Sequence, residues 1–248
     1  MNSARPSAVS AAVRQGIAVG IATAAYGVSF GALAVGAGLD VWQTCVLSLL
    51  MFTGGSQFAL VGVLASGGLA SAPAAIASAA LLGSRNAVYG MRMKPELRTR
   101  WTLGAAWLTI DESTAVALAQ PPGRARRVGF WVTGLAVFVG WNATTLVGAL
   151  VGNLLGDTRA YGLDAAAAAA FLGLLWPRLR GRQAVAVGVG AAVLAAATTP
   201  ALMPGVPVIV AALVAVLVGV FNWWERPAAA VRETPPAASA PPGSDGAP

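Results

Sequence analysis

The chain has 248 residues and a net charge of +7, with 57% hydrophobic and only 10% charged residues. A soluble globular domain carries about 25% charged residues. This chain has too little charge to cover a water-facing surface, which argues against a soluble enzyme and against a DNA-binding module and for a membrane protein. The absence of histidine removes zincin motifs, His-based triads and imidazole proton relays. A single cysteine, Cys45, leaves no internal disulfide or CxxC site, and a single lysine, Lys94, leaves no phosphate-binding G-x-x-x-x-G-K-[ST] loop. No metal, cofactor or nucleic-acid partner is expected, and the basic excess reads as loop charge on the cytoplasmic side.

In chain order, residues 1–15 are polar and read as a cytoplasmic N-terminal tail. The first apolar segment, 16–38, has 23 residues and no charge, enough to span a bilayer at about 20 residues per crossing. Segment 41–65 follows, with Gly54-Gly55-Ser56-Gln57 near its centre, then 72–91 with Arg85-Asn86 inside it, and 101–119 with Asp111-Glu112 at its centre. Segment 128–155 contains Trp141-Asn142, and 161–176 contains Asp164 and a run of alanines. Segments 183–199 and 205–222 complete the set of eight, and the Pro/Ala-rich stretch 225–248 reads as a disordered C-terminal tail. Residues 16–224 therefore form one transmembrane domain.

The fold class expected is all-α, a polytopic bundle of transmembrane helices. A bilayer core satisfies backbone groups only in helices or closed barrels, and continuous apolar runs argue against a barrel. Glycines at four-residue spacing (Gly16/Gly20, Gly27/Gly31, Gly148/Gly152, Gly152/Gly156) would let helices approach closely. Loop charge selects among topologies. If all eight segments cross from a cytoplasmic N-terminus, the loops hold 10 Lys and Arg inside and 5 outside; if 41–65 and 101–119 are re-entrant or broken, the division is 14 and 1. The positive-inside rule favours the second arrangement, with both termini cytoplasmic.

Three stretches carry candidate chemistry. Gly54-Gly55 breaks a helix and frees backbone groups whose dipole ends suit a zwitterion, while Ser56 and Gln57 add donors and acceptors; the competing reading is close packing. Arg85 would cost about 2.5–3.5 kcal/mol inside a span, so it pairs or faces a cavity, with Asn86 beside it; the competing reading is an interfacial position. Of Asp111 and Glu112, adjacent on a helix and about 100° apart, one would pair with Arg85 or carry a coupling ion; a surface helix is the alternative. Trp141 and Asn142 would supply a cavity wall and an amide, or simply pack, and Tyr26 and Tyr89 have similar standing.

At these residues the chain resembles the AzlC family of branched-chain amino acid permeases. The resemblance rests on Tyr26-Gly27-Val28-Ser29-Phe30-Gly31-Ala32-Leu33-Ala34, Gly54-Gly55-Ser56-Gln57-Phe58, Ser84-Arg85-Asn86-Ala87-Val88-Tyr89-Gly90 and Asp111-Glu112. Asn86 stands where the family often has histidine after the arginine. The resemblance implies a bacterial inner-membrane protein, not an enzyme, that exports leucine, isoleucine, valine and sometimes methionine by secondary transport, working with a small AzlD-type hydrophobic membrane protein. From the residues themselves, substrate binding is expected at Gly54, Gly55, Ser56, Gln57 and Arg85-Asn86, with Trp141-Asn142 as further candidates, and ion coupling or charge balance at Asp111 or Glu112. The alternatives are a structural or assembly subunit of a membrane complex, or a carrier of another small solute.

Overall fold

The computed structural model describes residues 7–155, 172–173, 175–176, 179–203 and 205–221. Among them every regular element is helical: α1 (Ala8–Gly36), α2 (Val41–Leu50), α3 (Gly54–Gly67), α4 (Ala72–Leu97), α5 (Thr102–Trp107), α6 (Asp111–Leu118), α7 (Arg124–Leu155), α8 (Arg182–Thr198) and α9 (Val206–Phe221). The expected all-α membrane bundle is the fold. Of segment 161–176 only Leu172, Gly173, Leu175 and Trp176 are described; Asp164 and the 225–248 tail lie outside the described residues.

The frame of the molecule is α1 against α7. Gly16 abuts Thr133, Gly20 abuts Ala136, Gly27 abuts Thr144 and Gly148 abuts the backbone of Val28, so the two helices run parallel with a steady register. A Cβ on Gly31 or Gly148 would overlap the partner's backbone. In lipid, where the solvent is as apolar as leucine, helices associate by such close approach. The glycine spacing seen in the sequence is therefore the seam of the fold. α1 begins earlier than expected: Ser7 accepts a hydrogen bond from the Ser10 amide at 3.2 Å, and the stretch 8–15 forms the first turns of the helix.

The directions of the other helices follow from their contacts. α4 ends beside the start of α7, where Arg126 meets Glu96 at 2.8 Å, so the two are antiparallel. α3 turns back on α4 at Gly68, whose φ of 59° only glycine adopts readily. Gly55 then faces Leu82 and Arg85, and Gly83 faces Ser56. Among the described residues, three stretches are long and apolar enough to cross a membrane, one of them the 44 residues Gly54–Leu97. Because that stretch is folded in two at Gly68, its crossing element is α4.

The two segments expected to be re-entrant are both broken, and both return to the side they came from. α2 starts beyond the far end of α1, capped by Asp40 and Gln43 in a reciprocal pair of hydrogen bonds (2.7 and 3.0 Å), and reaches α7 through Ser48 and Thr145. The chain breaks at Met51–Thr53 and α3 climbs back beside α1, placing Phe58 against Phe30 with centroids 5.7 Å apart. From the opposite end α5 rises until Leu108 meets Gly134, and α6 descends antiparallel to α7, where Gly129 touches Val116 and Gln120. The break there is at Leu108–Ile110. In both hairpins the sequence motif stands just after the break, as the first turn of the second helix, rather than in the break itself.

Arg14, the four cations of 92–100 and the three of 124–127 gather at the end where α1 and α7 begin. The turns at the other end, 37–40 and 67–71, carry one charge, Asp40. α4 runs past the expected limit at Met91 because Glu96 accepts from Arg92 and pairs with Arg126, both at 2.8 Å. It stops at Arg98, in the left-handed conformation.

Candidate functional site

A cavity of about 260 Å³ lies between α1, α3, α4, α6 and α7, at the level where both hairpins break. This is below the roughly 300 Å³ at which pockets for drug-sized ligands begin, so the space suits one small solute. α3 contributes Gly54, Gly55 and Phe58, with Phe52 and Thr53 of the break beside them; α4 contributes Leu82 and Arg85. Ile110, Asp111 and Glu112 enter from α6 and its break, Val137 and Trp141 from α7, and Thr23 and Tyr26 from α1. Leu175 closes one side.

The polar chemistry is concentrated in one contact. Arg85 Nε donates to Asp111 Oδ1 at 2.8 Å, with the two side chains 25% and 21% exposed. Arg85 Nη1 also donates to the carbonyl of Leu82, its own helix's previous turn, at 3.3 Å. Asp111 stands in the first turn of α6 and Gly54 in the first turn of α3, so two positive helix ends face one cavity. Thr53 makes no side-chain cap on α3, which leaves first-turn amides of that helix to a ligand or water. The two glycines explain how the walls come so near. A Cβ at Gly54 would sit 3.1 Å from the Trp141 ring, and one at Gly55 would sit 3.0 Å from Arg85 Nη2.

Beyond the Arg85–Asp111 pair, Glu112, Thr23, Tyr26 and Thr53 are the polar residues of the lining, and the rest is apolar. Trp141 stacks on Phe30 at 6.0 Å and meets Phe58 edge-on at 6.1 Å. Phe52 meets Phe138 edge-on at 5.0 Å. The cavity thus offers one fixed cation–anion pair, a second carboxylate at Glu112, two helix N-termini and a largely aromatic-aliphatic surface.

The structure gathers Gly54, Gly55, Arg85, Asp111, Glu112 and Trp141 around this cavity and leaves Ser56, Gln57, Asn86 and Asn142 off its lining. Gln57 is fully buried: its Nε2 donates to the carbonyls of Met51 (2.7 Å) and Ser48 (3.2 Å), and its Oε1 accepts from Trp141 Nε1 at 2.8 Å. It closes the helix break rather than facing solute. Ser56 Oγ, Asn86 Oδ1 and Asn142 Oδ1 are buried with no hydrogen-bond partner among the described residues. Thr23, Phe52, Leu82, Ile110 and Val137 are cavity residues with no distinguishing signal in the sequence. Tyr26 and Phe58 lie within the motifs of the family resemblance, and Tyr89 is not on the lining.

Residues 18–155 match the family model described as AzlC protein, the stretch that holds α3, α4, α6, α7 and nearly all of the cavity wall. A protein of Archaeoglobus fulgidus described as an uncharacterized membrane protein is 32% identical over 167 residues, covering 66% of this chain and 73% of the relative. No solved structure matches the chain.

Proposed function

The chain belongs to the AzlC family of multi-pass membrane proteins, and on that footing we propose that it is a secondary transporter subunit for branched-chain amino acids, exporting leucine, isoleucine and valine, with methionine as a further substrate. The observation that carries this reading is the Arg85–Asp111 pair set in a small, largely apolar cavity between the N-termini of α3 and α6. Ends of broken helices at mid-membrane are where many transporters hold charged substrate groups.

In this reading the substrate carboxylate takes Arg85 and the first-turn amides of α3, while its ammonium takes Asp111. The branched side chain lies against Trp141, Phe52 and Phe58. A zwitterion exchanges for the ion pair without leaving a charge unpaired in a low-dielectric site, whereas a singly charged solute would strand one partner. Asp111 or Glu112 carries the coupling ion or balances charge. The basic end faces the cytoplasm of a bacterial cell, by the positive-inside rule, and a small AzlD-type membrane protein completes the transporter.

The test is flux of radiolabelled leucine from preloaded vesicles, with and without a small partner, under imposed proton and sodium gradients. Chain-dependent efflux that responds to one gradient supports the proposal. No flux from folded, inserted protein in any arrangement overturns it. A structural subunit is the second reading, favoured by the fact that Arg85 and Asp111 already satisfy each other, as interhelical charges do when they serve as glue. Leucine binding by the chain in the absence of any partner separates the two.

A further inference from the structure

A second concave site lies at the basic end, on the outer side of the bundle. It is a shallow groove of about 510 Å³ between the α4–α5 connection and the first turns of α7. Arg98 and Arg100 form one wall, Arg124 and Arg127 the other, with the indoles of Trp101 and Trp131 between them. None of these four arginines has a carboxylate partner among the described residues; Glu96, the acid nearest them in α4, is already shared by Arg92 and Arg126. The first turn of α7 carries no acid, so its arginines stand where the helix dipole is positive. Four guanidinium groups around one groove therefore lack a counter-charge.

The groove is also built, not merely charged. Arg98 is held at φ 46°, the only non-glycine residue with positive φ among those described, and this turn brings the connection against α7. Trp101 is 78% exposed and Leu103, two residues further on, 86%. The groove thus stands where α4 and α7 leave the apolar zone, with guanidiniums on one level and exposed apolar side chains beside it. Arginine offers phosphate a planar, two-toothed set of donors, and basic pockets at this level of a membrane protein receive lipid headgroups. The positive-inside rule asks only for cations somewhere in the loop and does not account for their grouping around two tryptophans.

We propose that this groove binds the phosphodiester headgroup of an anionic phospholipid, with an acyl chain lying along Trp101. The site is independent of the transport cavity, although it anchors the start of α5, the arm of the hairpin that leads to Asp111.

The experiment is native mass spectrometry of the full-length protein released from mixed phosphatidylglycerol–phosphatidylcholine nanodiscs. Wild type is expected to retain phosphatidylglycerol in preference to phosphatidylcholine, and the double variant Arg98→Gln/Arg100→Gln is expected to lose that preference by roughly tenfold. The double variant Arg14→Gln/Lys94→Gln removes the same charge from the same end outside the groove and is expected to keep it. Arg127→Gln, on the opposite wall, tests the same direction if the first variant does not fold. Equal retention of the two lipids by wild type, or an equal loss in both double variants, would overturn the proposal. Displacement of the lipid by inorganic phosphate at matched concentration would reassign the groove to a soluble anion and overturn it as well.

Discussion

The indole of Trp141 on α7 donates its N–H to the side-chain oxygen of Gln57 on α3, 84 residues away in sequence, at 2.8 Å. The same amide's nitrogen donates to two carbonyls at the break between α2 and α3. One side chain thus does two things: it satisfies backbone that the break between α2 and α3 leaves open, and it holds the ring that walls the cavity. In hydrocarbon an unsatisfied carbonyl cannot turn to water, so the break exists only with a partner of this kind.

Gln57→Leu is accordingly expected to destabilise the protein by about 1–3 kcal/mol, the cost of leaving a buried polar group without its partner. It should also change the emission of Trp141 in a variant with the other tryptophans replaced. Reversible unfolding in mixed micelles reads the first effect and fluorescence the second. Unchanged stability would mean that water or lipid headgroups reach the break.

Arg85→Ala should abolish leucine flux with insertion intact, and Arg85→Lys should retain only part of it, because a point charge cannot make the same directed contacts as a guanidinium. Asp111→Ala leaves Arg85 unpaired in the same way. The double variant is expected to be more stable than the sum of the single losses predicts, with a coupling on the order of 1–3 kcal/mol for residues in direct contact. A double-mutant cycle measures it; strictly additive losses would show that the pair is not maintained in the membrane.

Gly54→Ala and Gly55→Ala should impair transport more than folding, since the added methyls meet a ring and a guanidinium rather than backbone. A fall in apparent leucine affinity of about tenfold corresponds to 1.4 kcal/mol of lost contact. Gly90→Ala, where the added methyl meets nothing within 4 Å, is the control and should transport normally.

Gly148→Ala should behave in the opposite way. Its methyl meets the backbone of Val28 at the α1–α7 crossing, which cannot yield without moving a helix. Overpacking of this sort costs typically 1–3 kcal/mol, so folded yield should fall, while Gly219→Ala, in open space, should leave yield unchanged. Normal yield of Gly148→Ala would show that the two helices stand further apart than the crossing described.

Re-entry of the hairpins is testable by labelling, after Cys45 is replaced by alanine. Single cysteines at Asp40 and Gly68 should be reached from one side of the membrane, and cysteines at Arg98 and Gly123 from the other. If segment 41–65 crossed the membrane fully, Asp40 and Gly68 would be labelled from opposite sides.

Much of the architecture could be read from the chain alone, for physical reasons. Apolar runs with no alternation dictate helices in lipid, and glycines four apart mark where helices touch. Nearly all the basic loop residues fall on one end if 41–65 and 101–119 turn back, so loop charge marked those two segments out, and both are broken in the fold. Arg85 and Asp111 drew attention because a charge inside a span has to find a partner. That they find each other, at 2.8 Å, was decided by folding, since they lie 26 residues apart on helices that meet only after α5 has risen and α6 has reversed. The division of labour within Gly54-Gly55-Ser56-Gln57 was decided there too. In sequence the four are equivalent polar breaks in an apolar run; on the first turn of a helix, successive side chains point about 100° apart. Two therefore line the cavity, one is buried, and Gln57 faces the break. The apolar cavity residues, Thr23, Leu82 and Val137 among them, look like any lipid-facing position in the chain. Residue type settles that such side chains leave water, and only the packing of five helices settles which of them face the cavity instead of lipid.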